Sequence, residues 1–88
     1  MSVEELVSLL EELAEDRKIP RNVRAMIAEA VSAIKEDSEE SLKARITTAI
    51  SILDEASTDP NLQQFSRTEI WNVVSMLESF LQTLEEEG

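Results

Sequence analysis

Only one glycine occurs in the 88 residues, at position 88, and only two prolines, Pro20 and Pro60. Strands need Gly, Pro and Asn-Gly pairs to turn between them, so this chain cannot punctuate a β-sheet. Its apolar residues instead recur at the spacings of a helix that buries one face. The first stripe is Val3, Leu6, Val7, Leu10, Leu13 and Ala14, and Ser2 with Glu5 reads as a capping box at its start. The second begins at Pro20, whose fixed φ suits a first helical turn, and carries Val23, Ile27, Ala30, Val31 and Ile34. A polar run from Lys35 to Glu40 ends it, with Asp37 and Glu40 spaced for another capping box. The third stripe is Leu42, Ile46, Ala49, Ile50, Leu53 and Ala56. Thr58-Asp59-Pro60-Asn61 then stops and restarts the chain, with Asp59 able to cap and Pro60 to open a turn. A fourth helix is expected from Ser66, capped with Glu69, through Ile70, Val73, Val74, Leu77, Phe80, Leu81 and Leu84. Its tail, Glu85 to Gly88, is expected to fray. Four amphipathic helices on short connectors imply an all-α, up-and-down four-helix bundle, one domain of two hairpins at about 3–36 and 39–85.

A core of this size is modest, and without cysteine or histidine neither a disulfide nor a zinc site can reinforce it. Absent cysteine also fits a reducing compartment. The first residues, Met1 to Glu5, have no basic region leading into an apolar stretch, so no signal peptide is expected, and no apolar run is long enough to span a membrane. Nineteen acidic residues against eight basic ones give a net charge of −11. Such a chain repels nucleic acid and anionic membranes at long range, and a basic protein surface is the natural macromolecular partner. The plainer reading of the charge is solubility.

Shifting the chain by 43 residues lays Val7–Ile34 on Ile50–Leu77 without a gap, and eight of the 28 pairs are identical. Apolar matches come easily between amphipathic helices. The pairs Asp16/Asp59 and Arg24/Arg67 do not, and both lie at or just after an interhelical turn. This points to a repeated helical hairpin. The spacing is in the range of HEAT-type repeats, but the gap from Asp to Arg is longer than in that pattern, and two hairpins are too few for a solenoid. The same pairs read first as structural: each Arg early in a second helix does not complement the helix dipole, and a carboxylate in the preceding turn would offset it as an ion pair, Asp16 with Arg24 and Asp59 with Arg67.

Conventional chemistry finds no residues here. Zinc, haem and non-haem iron sites draw on His or Cys, no Asp-rich calcium loop is present, and no glycine-rich loop can cradle a phosphate. No serine has a histidine base. Neither a cofactor nor a metal is expected. If carboxylates alone performed acid–base work at a bundle cavity, Asp54 and Glu55, which flank the third stripe, would be the candidates. Trp71 stands beside the stripe residue Ile70, and Ile52, Leu9 and Met76 also lie off the main stripes. Together these four could form a second apolar face for self-association, most simply as a dimer.

Three segments carry a family resemblance: Glu15-Asp16-Arg17-Lys18-Ile19-Pro20-Arg21-Asn22-Val23-Arg24, then Ala49 to Glu55 with Asp59-Pro60-Asn61, and Arg67-Thr68-Glu69-Ile70-Trp71-Asn72-Val73-Val74-Ser75-Met76-Leu77-Glu78. The chain resembles an uncharacterised family of small archaeal proteins over nearly its whole length. The resemblance implies a small four-helix fold and an archaeal cytoplasmic setting, and it implies no activity, since that family has none established. One departure is Gln63, where the family pattern has a second proline; the first hairpin keeps its equivalent, Pro20. The expectation from these observations is a noncatalytic interaction or scaffold protein, self-associating and acidic. The alternative is a small enzyme or ligand-binding protein built on carboxylates.

Overall fold

A computed structural model describes residues 2–36 and 38–87. Four helices follow one another: α1 (Val3–Ala14), α2 (Arg21–Lys35), α3 (Leu42–Ala56) and α4 (Gln64–Glu87). Each packs on the next and α4 returns to α1, which closes an up-and-down ring. The four seams differ: α2/α3 is the most closely packed and α1/α4 the least. No helix is long and apolar enough to cross a membrane among the described residues.

The stripes read from sequence form the core. Leu6, Leu10, Val23, Ile27, Ile46, Leu53, Ile70 and Leu77 are almost fully buried, each worth about 1.5–3 kcal/mol relative to exposure. The stripe ends Val3, Leu42, Phe80, Leu81 and Leu84 are half-buried against that core. Two core residues lie outside the stripes: Ile19 and Leu62 are buried in the turns after α1 and α3, 43 residues apart in sequence.

Those two turns carry the same hydrogen bonds. The backbone N–H of Asp16 donates to Leu13 and that of Ile19 to Asp16; likewise Asp59 donates to Ala56 and Leu62 to Asp59. Each aspartate turns its own chain: Asp16 Oδ1 accepts from Lys18 N at 2.9 Å, and Asp59 Oδ1 from Asn61 N at 2.8 Å. Each turn ends where a carbonyl accepts the first bond of the next helix, Pro20 from Arg24 and Gln63 from Arg67, both at 2.9 Å. Gln63 thus does the work of Pro20 without the ring. Asn22 Nδ2 donates to Asp59 Oδ2 at 2.6 Å and ties the start of α2 to the second of these turns.

Neither expected ion pair forms. Asp16 Oδ2 lies 4.0 Å from Lys18 Nζ, not beside Arg24. Arg67 binds oxygens that carry no formal charge: Nε donates to the Ser57 carbonyl at 2.8 Å, and Nη2 to those of Asp59 at 3.0 Å and Leu62 at 3.2 Å. The Asp59 carboxylate is already engaged by Asn61 and Asn22, and the guanidinium takes the carbonyls of the C-cap Ser57 and of the turn that follows α3. Arg45 does the same at the opposite end of the bundle, with Nη1 donating to Ile34 at 2.7 Å and Glu36 at 3.0 Å.

Caps also differ from expectation in places. The Ser2/Glu5 box is present in both directions. Pro20 is the N-cap of α2 and so stands just outside its first turn. Ser41 caps α3, its Oγ accepting from Ala44 N at 3.1 Å, while Glu40 N donates to Ser38 Oγ; the expected partner Asp37 lies outside the described residues. Ser66 and Glu69 do not cap α4, which starts at Gln64 and so carries both inside the helix. Ser66, 43 residues on from Val23, is 1% exposed, and its hydroxyl has no partner among the described residues. The helix runs on through Glu87 because Leu84 packs on the core and Glu85 meets Lys43 at 3.5 Å; Gly88 lies outside the described residues.

Two outcomes follow from these contacts. Arg67→Ala removes three hydrogen bonds to carbonyls at this turn and should cost about 2 kcal/mol, read as a lower midpoint in chemical denaturation; Arg24→Ala should cost less than half of that. Ser66→Val removes a buried, unpaired hydroxyl and should raise stability by about 1 kcal/mol, a melting-temperature gain of about 4–8 °C.

Candidate functional site: the face between α1 and α4

Where α1 and α4 pack least closely, a cleft of about 300 Å³ opens between them. Its apolar part comes from Leu9 and Leu13 of α1 and from Val73 and Met76 of α4. Carboxylates stand around it: Glu12 and Asp16 from α1 and its turn, Glu69 from α4. A second cleft of about 360 Å³ continues past Met76 to Leu6, Phe80 and Thr83.

Helical spacing explains why α4 presents this face. Phe65, Glu69, Asn72, Met76 and Phe80 follow one another at steps of three or four, so they share one flank beside the buried stripe. Phe65 is 66% exposed and Met76 37%. The Nζ of Lys18 lies 5.7 Å from the centre of the Phe65 ring, a cation–π distance that caps this end of the face. Glu69 is half-buried, and its Oε1 is enclosed with no hydrogen-bond partner among the described residues. A cation delivered to the cleft would supply that partner.

The four residues expected to form a second apolar face do not come together. Leu9 and Met76 meet across the cleft. Trp71 is five residues before Met76, hence about 140° around the helix. It lies one turn on from Arg67, on the flank toward the end of α3, and is 47% exposed. Ile52, on α3, is half-buried against the core. Phe65 escaped the sequence reading because helix four was started at Ser66; once the helix begins at Gln64, its register with Met76 is plain.

The proposed catalytic carboxylates are elsewhere. Asp54 and Glu55 are exposed on α3 and line none of these clefts. Both are solvated on a helix face, apart from the α1/α4 clefts. Among the described residues, no group of three or more His, Cys, Asp or Glu is gathered to hold a metal ion. What the α1/α4 face offers is a slot for apolar side chains with acidic groups beside it.

The comparison with known proteins bears on the whole chain. Residues 1–80 match the model of an uncharacterised protein family, UPF0147. The UPF0147 protein MJ1419 of Methanocaldococcus jannaschii is 46% identical over 70 residues, covering 80% of this chain and 74% of that protein. The UPF0147 protein of Archaeoglobus fulgidus is 41% identical over 76 residues, covering 86% of this chain and 85% of its own length. The crystal structure of MMP1188, a protein of unknown function, superposes with a TM-score of 0.80 at 44% identity, covering 85% of this chain and 84% of that one. It shares the four-helix fold. With the motifs of both turns lying inside the matched region, the chain belongs to the uncharacterised protein family UPF0147.

Proposed function

We propose that this chain is a noncatalytic interaction protein of the archaeal cytoplasm whose α1/α4 face receives a basic amphipathic helix of a partner. The observation that carries the reading is the exposed stripe from Phe65 through Met76, set against Leu9 and flanked by Glu12, Asp16 and Glu69. An amphipathic helix places apolar anchors at i, i+3, i+4 and i+7, which suits a slot between two helices. Lysines or arginines on its flanks would meet the three carboxylates, and Glu69 Oε1 would gain the donor it lacks. From Phe65 to Phe80 the stripe spans about 22 Å, enough for four turns of a partner. The net charge of −11 speeds such an encounter and sorts partners by sign.

Self-association has a different surface. A symmetric pairing of the α1/α4 face would bring Glu12, Asp16 and Glu69 against their own copies, and like charges in a closing interface oppose it. The exposed Trp71, on the other flank of α4, is the residue left for a homodimer.

Two measurements test this. Fluorescence anisotropy of a labelled basic amphipathic peptide should show binding that weakens at least about tenfold in the Phe65→Ser/Met76→Ser double variant, and that a scrambled peptide of equal charge does not reproduce. Equal binding by the double variant, or by the scrambled peptide, refutes the docking face. Light scattering coupled to size exclusion should show that any dimer is lost in Trp71→Ser and kept in the double variant; the reverse pattern would assign the α1/α4 face to self-association instead.

A further inference from the structure

The basic residues of this chain divide in an unusual way. All three lysines lie within 4.0 Å of a carboxylate: Lys18 of Asp16, Lys35 of Glu11 and Lys43 of Glu85. Arginine is the better carboxylate ligand, yet among the described residues none of the five arginines pairs with an acid, although nineteen acidic residues are present. Arg45 and Arg67 are engaged by carbonyls. Arg17, Arg21 and Arg24 make no side-chain hydrogen bond among the described residues, and all three line one cleft of about 610 Å³ at the α1–α2 turn. The Nε of Arg24 is enclosed there without a partner.

Local geometry makes this cleft a place for an anion. Arg21 and Arg24 sit one turn apart on α2, with Ala25 and Ala28 on the same face, and Arg17 approaches from the turn. The remaining lining is Ala14, so nothing bulky separates the guanidinium groups. The α2 N-terminus adds to the positive potential: Pro20 supplies no side-chain cap and the first turn contains no acid, leaving backbone N–H groups uncompensated. Hairpin two has closed the corresponding place. Trp71 stands 43 residues on from Ala28, and Arg67, the counterpart of Arg24, is folded into its turn.

We propose that Arg17, Arg21 and Arg24 form a binding site for a dianionic phosphoryl group. Planar guanidinium forks match phosphate oxygens bidentately, and three of them balance a dianion better than they do a single carboxylate. A nucleic acid duplex is held off by the net charge of −11, whereas a small ligand feels chiefly the local field. The phosphoryl group has two sources, free phosphate or an organic phosphate. Ala14 and Ala28 also line the neighbouring α1/α2 groove, where Val31 offers an apolar wall, so an organic phosphate has room for its uncharged part.

The test is titration of the isotope-labelled protein with inorganic phosphate and with phenyl phosphate, at ionic strength matched with chloride, followed by NMR of amide and arginine Nε–H signals. Saturable shifts at Arg21, Arg24 and Ala25 are expected, with affinity falling at least about tenfold in Arg21→Gln/Arg24→Gln and unchanged in Lys43→Gln, which removes one charge on α3 beside Glu85. Arg24→Lys keeps charge and stem but loses the fork, and should also weaken binding while circular dichroism shows an intact fold. Tighter binding of phenyl phosphate assigns the site to organic phosphates, and equal binding assigns it to free phosphate. Shifts that chloride reproduces, shifts that do not saturate, or a loss in Lys43→Gln equal to that in the arginine variant would overturn the proposal.

Discussion

Guanidinium-to-carbonyl hydrogen bonds close two of the three connections in this bundle, and the arrangement follows from the near absence of glycine. A helix usually ends by sending one residue into the left-handed region, which glycine does at no steric cost. Here the only glycine is residue 88, and no described residue has positive φ. Carbonyls at the end of α2, and at the C-cap of α3 and in the turn beyond it, take donors from elsewhere. Arg45 and Arg67 reach back from the following helix to supply them, at distances of 2.7–3.2 Å. Each therefore joins two tasks, ending one helix and fixing the angle at which the next leaves. The turn after α1 manages without such a bond, through the Asp16 side chain and the buried plug Ile19.

Much of this was legible in the residues, and the failures share a cause. The stripes of α1 to α3 gave the core because periodicity reports burial directly, as the five stripe residues of α2, all buried, make plain. Ser66 and Glu69 have the spacing of a capping box, but the same spacing occurs inside any helix, and only the register of Ser66 with Val23 could have decided between them. Arg67 was placed correctly at the turn and given the wrong oxygen. A sequence shows that a charge is near an aspartate; it does not show that the carboxylate is already spent on two amides while three carbonyls lie within the guanidinium's reach. Capping by Arg45 left no trace in composition or spacing at all.

The candidate face was harder to read because it depends on which side of a helix each residue occupies. Leu9, Ile52, Trp71 and Met76 share only the property of lying off a stripe. Off-stripe residues fall on both flanks, and a few tens of degrees decide which neighbour they meet. Leu9 and Met76 meet, Trp71 faces away from them, and Ile52 sinks toward the core. Charge behaves similarly. A net value of −11 describes the molecule at a distance, yet the cleft at the α1–α2 turn is lined by three arginines and no acid.

The unequal seams have a mechanical meaning as well. The two hairpins touch along two lines, α2/α3 and α1/α4, one the most closely packed in the ring and the other the least. A ring with one weak joint opens at that joint. The cheapest opening is therefore a parting of α1 from α4, with the α2/α3 seam still holding the two hairpins together. The molecule is then two hairpins on a hinge, and the edges that part are the walls of the cleft that holds Leu9 and Met76.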